Sequence, residues 1–194
     1  MYKLLCLLLI SGAVSASPVS QLSKVGSGEM NYLFWTIYKA DYYTEGARNS
    51  AKSNQVTAEN RSGTTNVEEP TEVSPVLYNR AAPQQQKALR IEYFKSIDRD
   101  ALVQATIEQW EHLGYEQSEI DRWAEPLVGI WPNVEPGSTL TLLIGEYGQS
   151  QFYFNNELIG TINTDTFGPA FLSIWLSENT SEPVLRKQLL GLNR

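Results

Sequence analysis

The sequence predicts an α+β domain: an antiparallel sheet with helices layered on one face. Three observations predict it. Strand-like stretches fall at 29–43, 88–97 and 139–162, and helix-like stretches at 98–113, 118–128 and 167–190. The two kinds are segregated along the chain, without the strand–helix–strand alternation that winds a parallel sheet. No internal repeat is present, and 194 residues suffice for one core without covalent staples.

The first residues read as an export signal. Lys3 supplies a positive start, Leu4 to Ile10 a short apolar run, and Val14-Ser15-Ala16 the small residues before a cleavage point. Residues 1–16 are thus expected to be a signal peptide and 17–194 a single mature domain, periplasmic or secreted. The apolar run is well short of the roughly 20 residues that span a bilayer. Cys6 stands at its front and not behind it, against a lipoprotein, and the mature chain holds no cysteine. Thiol catalysis and thiolate metal sites are therefore excluded.

The net charge is −7, and one unit more negative without Lys3. The acidic residues are scattered and no basic stripe exists, which excludes nucleic acid and an anionic membrane held by charge as partners.

Residues 17–27 read as a flexible mature N-terminus. From Glu29 to Tyr43 apolar and aromatic residues occupy both parities, the pattern of a strand buried on both faces, as a long hairpin arm or the centre of a sheet. Gly46 to Pro75 (46–75) is polar and almost free of large apolar residues, so it reads as a mobile loop, an insertion in preference to a functional segment. Asn60 and Asn179 head glycosylation-type triplets of a kind that chance often produces.

Leu89, Ile91, Tyr93 and Ile97 share one strand parity. Asp98 is placed to cap a helix with Leu102, Val103, Thr106, Ile107, Trp110 and Leu113 on its apolar side and Gly114 as its stop. Ser118, three residues before Asp121, suggests a second start, and Pro126 inside that helix is expected to kink or shorten it. A turn at 132–137 leads to two strands, Thr139 to Tyr147 and Gln151 to Ile162, the latter turning at Asn155-Asn156. In the tail, Phe171, Ile174 and Trp175 share a helical face; Ser181 is then placed to cap a last helix with Pro183 in its first turn and Gly191 past its end.

Several blocks together resemble the chalcone isomerase-like proteins that bacteria export. They are Leu33 to Ala40, Ala88 to Tyr93, Trp123 with Ile130 to Gly137, Tyr153 to Gly160, and the tail from Ile174 through Leu185-Arg186 to Gly191. The resemblance implies an open sandwich of sheet and helices. It does not carry the isomerase activity over. Plant chalcone isomerases place an arginine just before the opening strand, where this chain reads Gly26-Ser27-Gly28-Glu29, and their tyrosine and asparagine motif has no counterpart in Asp100 to Trp110. Glu157 and Ser138 also depart from the family's usual glycine and acid.

No catalytic constellation stands out. His112 is the only histidine, at a helix end where a cation suits the dipole, and it has no nucleophile or metal partners by spacing. No cofactor or metal is implied. The surplus is aromatic, with five Trp and ten Tyr. Most large aromatics build core, and the rest can line a cleft for an apolar ligand. Lys95 shares the parity of Leu89, Ile91 and Tyr93, so it either snorkels past the sheet edge or meets an acidic head group. Some relatives of this fold bind fatty acids. The reading is a non-enzymatic binder of a small apolar or acidic, fatty-acid-like ligand, with Tyr38, Tyr93 and Trp110 as walls and Lys95 as anchor. The alternatives are an isomerase or lyase using tyrosine hydroxyls, and an interaction module without a ligand.

Overall fold

The computed structural model describes residues 16–46 and 84–192. The expected signal segment before Ala16, the polar loop beyond Gly46 and the Asn60 triplet lie outside the described residues. Six strands form one sheet: β1 (Ser23–Tyr32), β2 (Trp35–Thr44), β3 (Lys87–Tyr93), β4 (Thr139–Ile144), β5 (Ser150–Phe154) and β6 (Glu157–Ile162). Their spatial order is their chain order, and every neighbouring pair is antiparallel. Helices α1 (Arg99–His112) and α2 (Gln117–Ile130) separate β3 from β4; α3 (Phe167–Leu176) and α4 (Pro183–Leu189) follow β6. The α+β fold class stands as expected.

Alternation along the strands decides which face is covered. Ala40, Tyr42, Leu89, Ile91, Tyr93, Leu140, Leu142, Ile144, Phe152 and Ile162 share the core face with the apolar sides of the helices. The intervening positions, among them Lys39, Asp41, Tyr43, Arg90, Glu92 and Thr141, are in register with one another on the opposite face. The densest part of the core is aromatic. Phe171 touches Trp110, Trp131, Phe152, Phe167 and Trp175, with ring centroids 5.1–6.5 Å apart and most rings edge to face, the geometry the ring quadrupole favours.

The stretch read as one long strand is two. β1 and β2 form a hairpin pairing Tyr32 with Trp35 and Met30 with Tyr38, and the chain turns at Leu33 (φ 55°) and Phe34. Apolar residues on both parities here mark an exposed tip, because Tyr32, Leu33, Phe34 and Trp35 are 60–97% accessible. The supposed flexible N-terminus supplies the first half of β1. Its glycines and serines carry no strand signal of their own; the segment is ordered by pairing with β2 and by α4 packed across it. The 88–97 strand ends at Tyr93, and Ile97 makes only an isolated bridge to Val134.

Helix ends also differ in detail. Asp98 occupies the N-cap of α1 without a side-chain bond; the Asn133 side chain accepts from the Arg99 N–H instead. Helix α2 starts before Ser118, with Glu116 at its N-cap, and α4 is capped at Glu182, whose N–H is held by the Thr180 hydroxyl. Ser181 instead donates to Gln109 on α1. Pro126 does not interrupt α2, since the carbonyl it orphans belongs to solvent-exposed Arg122 and can bond water. Both glycine stops hold. Gly114 and Gly191 have φ of 81° and 66°, and the paired bonds of a Schellman motif close α1 (Tyr115 to Trp110, Gly114 to Glu111) and α4 (Leu192 to Lys187, Gly191 to Gln188). The Asn155-Asn156 turn has positive φ at both residues, which asparagine tolerates and a two-residue hairpin requires. Among the described residues no helix is long and apolar enough to cross a membrane.

Candidate functional site

A cleft of about 270 Å³ opens between the sheet and the helices. The first hairpin supplies Met30, Ile37 and Tyr38, and β3 supplies Ile91 and Tyr93. Leu102, Ala105 and Thr106 come from α1, and Phe171, Ile174 and Trp175 from α3. Trp131 closes the inner wall, while Glu108, Gln109, Ser181 and Glu182 contribute the polar groups. The volume lies just under the usual range for small-molecule sites, and an apolar cleft with few polar groups is their usual character.

The polar groups among these walls are specific. Trp175 Nε1 donates to the Tyr38 hydroxyl at 2.9 Å, so the Tyr38 proton remains available to a further acceptor. The Tyr93 ring meets Tyr38 edge to face at 6.1 Å, and its hydroxyl has no hydrogen-bond partner among the described residues. Trp131 Nε1 is buried and also without an acceptor. Burial pushes the Tyr38 phenol up to about 12, against the lowering effect of the Trp175 bond and with help from the nearby Glu182 charge. Burial pushes Tyr93 up as well, with Tyr38 adding to it. Both phenols therefore stay protonated and act as donors at neutral pH. Thr106 spends its hydroxyl on the Leu102 carbonyl one turn back.

Of the four residues singled out from sequence, the fold brings Tyr38 and Tyr93 together in the cleft wall. Trp110 lies behind it, fully buried among Trp123, Phe167 and Phe171, with its indole N–H on the Ala170 carbonyl at 2.9 Å. Lys95 follows the end of β3, and its ammonium sits 4.0 Å over the Trp35 ring, a cation–π contact. Sequence reasoning missed Trp131, Trp175 and the Glu108 and Glu182 carboxylates. Trp175 was legible as an apolar helical face; the carboxylates carried no signal, because only the packing of α1 beside the α3–α4 connection turns them toward one cleft. His112 is exposed and its Nε2 lies 3.1 Å from the Asn179 carbonyl. No group of three or more His, Cys, Asp or Glu able to hold a metal is found among the described residues.

Residues 68–191 match the chalcone isomerase-like family. The chain belongs to that family. No curated protein matches the sequence. Among solved structures, the crystal structure of a fatty-acid binding protein from Arabidopsis thaliana is similar in fold, with a TM-score of 0.58 at 12% identity over 90% of this chain and 89% of that one.

Within this chalcone isomerase-like fold, the two glycine positions of the segment 26–29 are closed to any larger side chain. A Cβ at Gly26 would enter the van der Waals shells of the Gln188 and Leu189 carbonyl oxygens, and one at Gly28 would collide with the Leu185 and Gln188 side chains. Helix α4 occupies the space that such a side chain would need. Among the described residues no lysine or arginine lines the cleft.

Proposed function

We propose that this chalcone isomerase-like protein is an exported, non-enzymatic binder of a small apolar ligand, held between sheet and helices. The observation that carries the reading is the open cleft, walled by Ile, Leu, Phe and Trp side chains and supplied with the two phenol hydroxyls of Tyr38 and Tyr93. The likeness to a plant fatty-acid binding protein supports it at the level of fold. Binding is favoured over proton-transfer chemistry because both phenols are pushed up and are poor bases near neutrality. Trp110 shapes the wall from behind, and Lys95 would have to leave Trp35 to serve as an anchor.

Titration of the protein with decanol, read by tryptophan emission to which the cleft-lining Trp131 and Trp175 contribute, tests this. Saturable binding is expected, together with its loss in Ala105→Trp, which fills the cleft from the exposed side of α1. Equal affinity in that variant would place binding elsewhere. Export rests on residues 1–16; N-terminal sequencing of protein recovered from the exported fraction should begin at Ser17, and a start at Met1 would refute it.

The exposed tip of the first hairpin favours a second reading, as a contact surface. Phe34 is 97% accessible, and Tyr32, Leu33 and Trp35 flank it, an apolar group seldom left bare without a partner. Serine substitutions at Leu33 and Phe34 that leave all cell-extract associations unchanged would remove it.

A further inference from the structure

Resting on the ligand-binding reading above, we infer that the cleft selects an uncharged, hydrogen-bond-accepting ligand, such as a fatty ester or an alkyl ketone, and rejects the free carboxylate. The argument is one of charge and donor count. A carboxylate taken from water needs a cation or several donors, or its burial is strongly unfavourable. Among the described residues the cleft supplies no cation. Its ionisable lining groups among the described residues, besides the tyrosines, are the carboxylates of Glu108 on α1 and Glu182 before α4. Neither is matched to a cation in an ion pair, Glu108 accepting only from Gln104.

The cations closest in the chain are committed elsewhere. Lys95 stands over Trp35, Arg99 pairs with Asp100, and Arg186 bonds the Leu176 carbonyl and pairs with Glu178. An anionic head group would thus enter a site bearing two like charges.

The neutral complement is better matched. Tyr38 has a free proton because its oxygen is already an acceptor for Trp175. Tyr93 has a hydroxyl with no partner among the described residues, whereas the Trp131 N–H, though unpartnered, is sealed from solvent and is not offered to a ligand. Both phenols can therefore donate a proton into the cleft, and a carbonyl oxygen offers two lone pairs to such donors without bringing a charge.

The test compares sodium decanoate with methyl decanoate at pH 8, by tryptophan fluorescence on the whole chain. The ester should bind about tenfold more tightly or better. The double variant E108Q/E182Q should strengthen decanoate and leave the ester unchanged, and Tyr93→Phe should weaken the ester by about two- to tenfold. Decanoate binding as tightly as the ester, or a gap that the double variant does not narrow, overturns the inference while leaving the cleft as a binding site. Failure of both probes, or binding that survives Ala105→Trp, overturns the binding reading itself, and the inference with it.

Discussion

The indole N–H of Trp175 donates to the phenol oxygen of Tyr38 across 2.9 Å, joining the end of α3 to the middle of β2. The two residues are 137 positions apart, and both line the cleft. The bond fixes the distance between helix and sheet on that side and sets the direction in which the Tyr38 proton can point.

Tyr38→Phe keeps the ring but leaves the Trp175 N–H, on a residue 8% exposed, without its acceptor. A loss of about 1–3 kcal/mol in unfolding free energy is expected by urea denaturation. A double-mutant cycle with Trp175→Phe should return a coupling of about 1 kcal/mol. Additive single effects would mean that the bond contributes nothing to the fold.

On the opposite face of the sheet, Asp41 accepts from Lys24 Nζ at 2.7 Å and from Ser27 Oγ at 2.6 Å, joining β1 to β2. Burial pushes the Asp41 carboxyl up, but these bonds and the lysine charge outweigh it, and it titrates below its ordinary value; Lys24 titrates above its ordinary value, chiefly through the bond to Asp41. A depressed carboxyl stabilises above its unfolded value and loses that contribution as pH falls through the folded one. A raised lysine stabilises below 10.5 and loses its contribution as pH rises through its folded value. The stability difference between wild type and Asp41→Asn should be flat from about pH 4 to pH 10 and shrink at both ends. Its plateau should be about 1–2 kcal/mol, because Lys24 is half exposed and its pairing is screened. A difference that does not vary with pH would show that the charges are not responsible.

Leu33 holds a left-handed conformation (φ 55°) with its side chain 77% exposed. Glycine adopts that conformation without a Cβ clash, and little packing would be lost. Leu33→Gly should therefore leave stability unchanged or raise it by about 1 kcal/mol, read as a higher denaturation midpoint at constant m-value. A marked loss would mean that the leucine makes contacts its exposure conceals.

How much of this was legible in the sequence can be judged residue by residue. The glycine stops at 114 and 191, the Asn155-Asn156 turn, the alternation around Leu89 to Tyr93 and the apolar side of α1 were readable because each depends on local backbone preference or on the period of one element. The boundary at Tyr32–Trp35 was not, because a hairpin tip coated with aromatics carries the same pattern as a buried strand. The role of residues 23–28 was not either: glycines and serines read as loop until a helix from the far end of the chain is seen to need their lack of side chains. Tyr38 and Tyr93 were singled out together with Trp110 and Lys95, and nothing in their spacing separates the cleft wall from the core behind it.

The sequence by itself determined the elements, their order and the α+β class, since hydrophobic period, caps and turn chemistry act within a few residues of one another. Tertiary structure alone decided the site. Tyr38, Tyr93, Glu108, Trp131, Trp175 and Glu182 come from separate segments, and only the docking of α1, α3 and α4 on one face of the sheet makes them walls of the same cavity. Burial is what pushes those phenols above their ordinary value, and it exists only once the sheet and the helices have closed on each other.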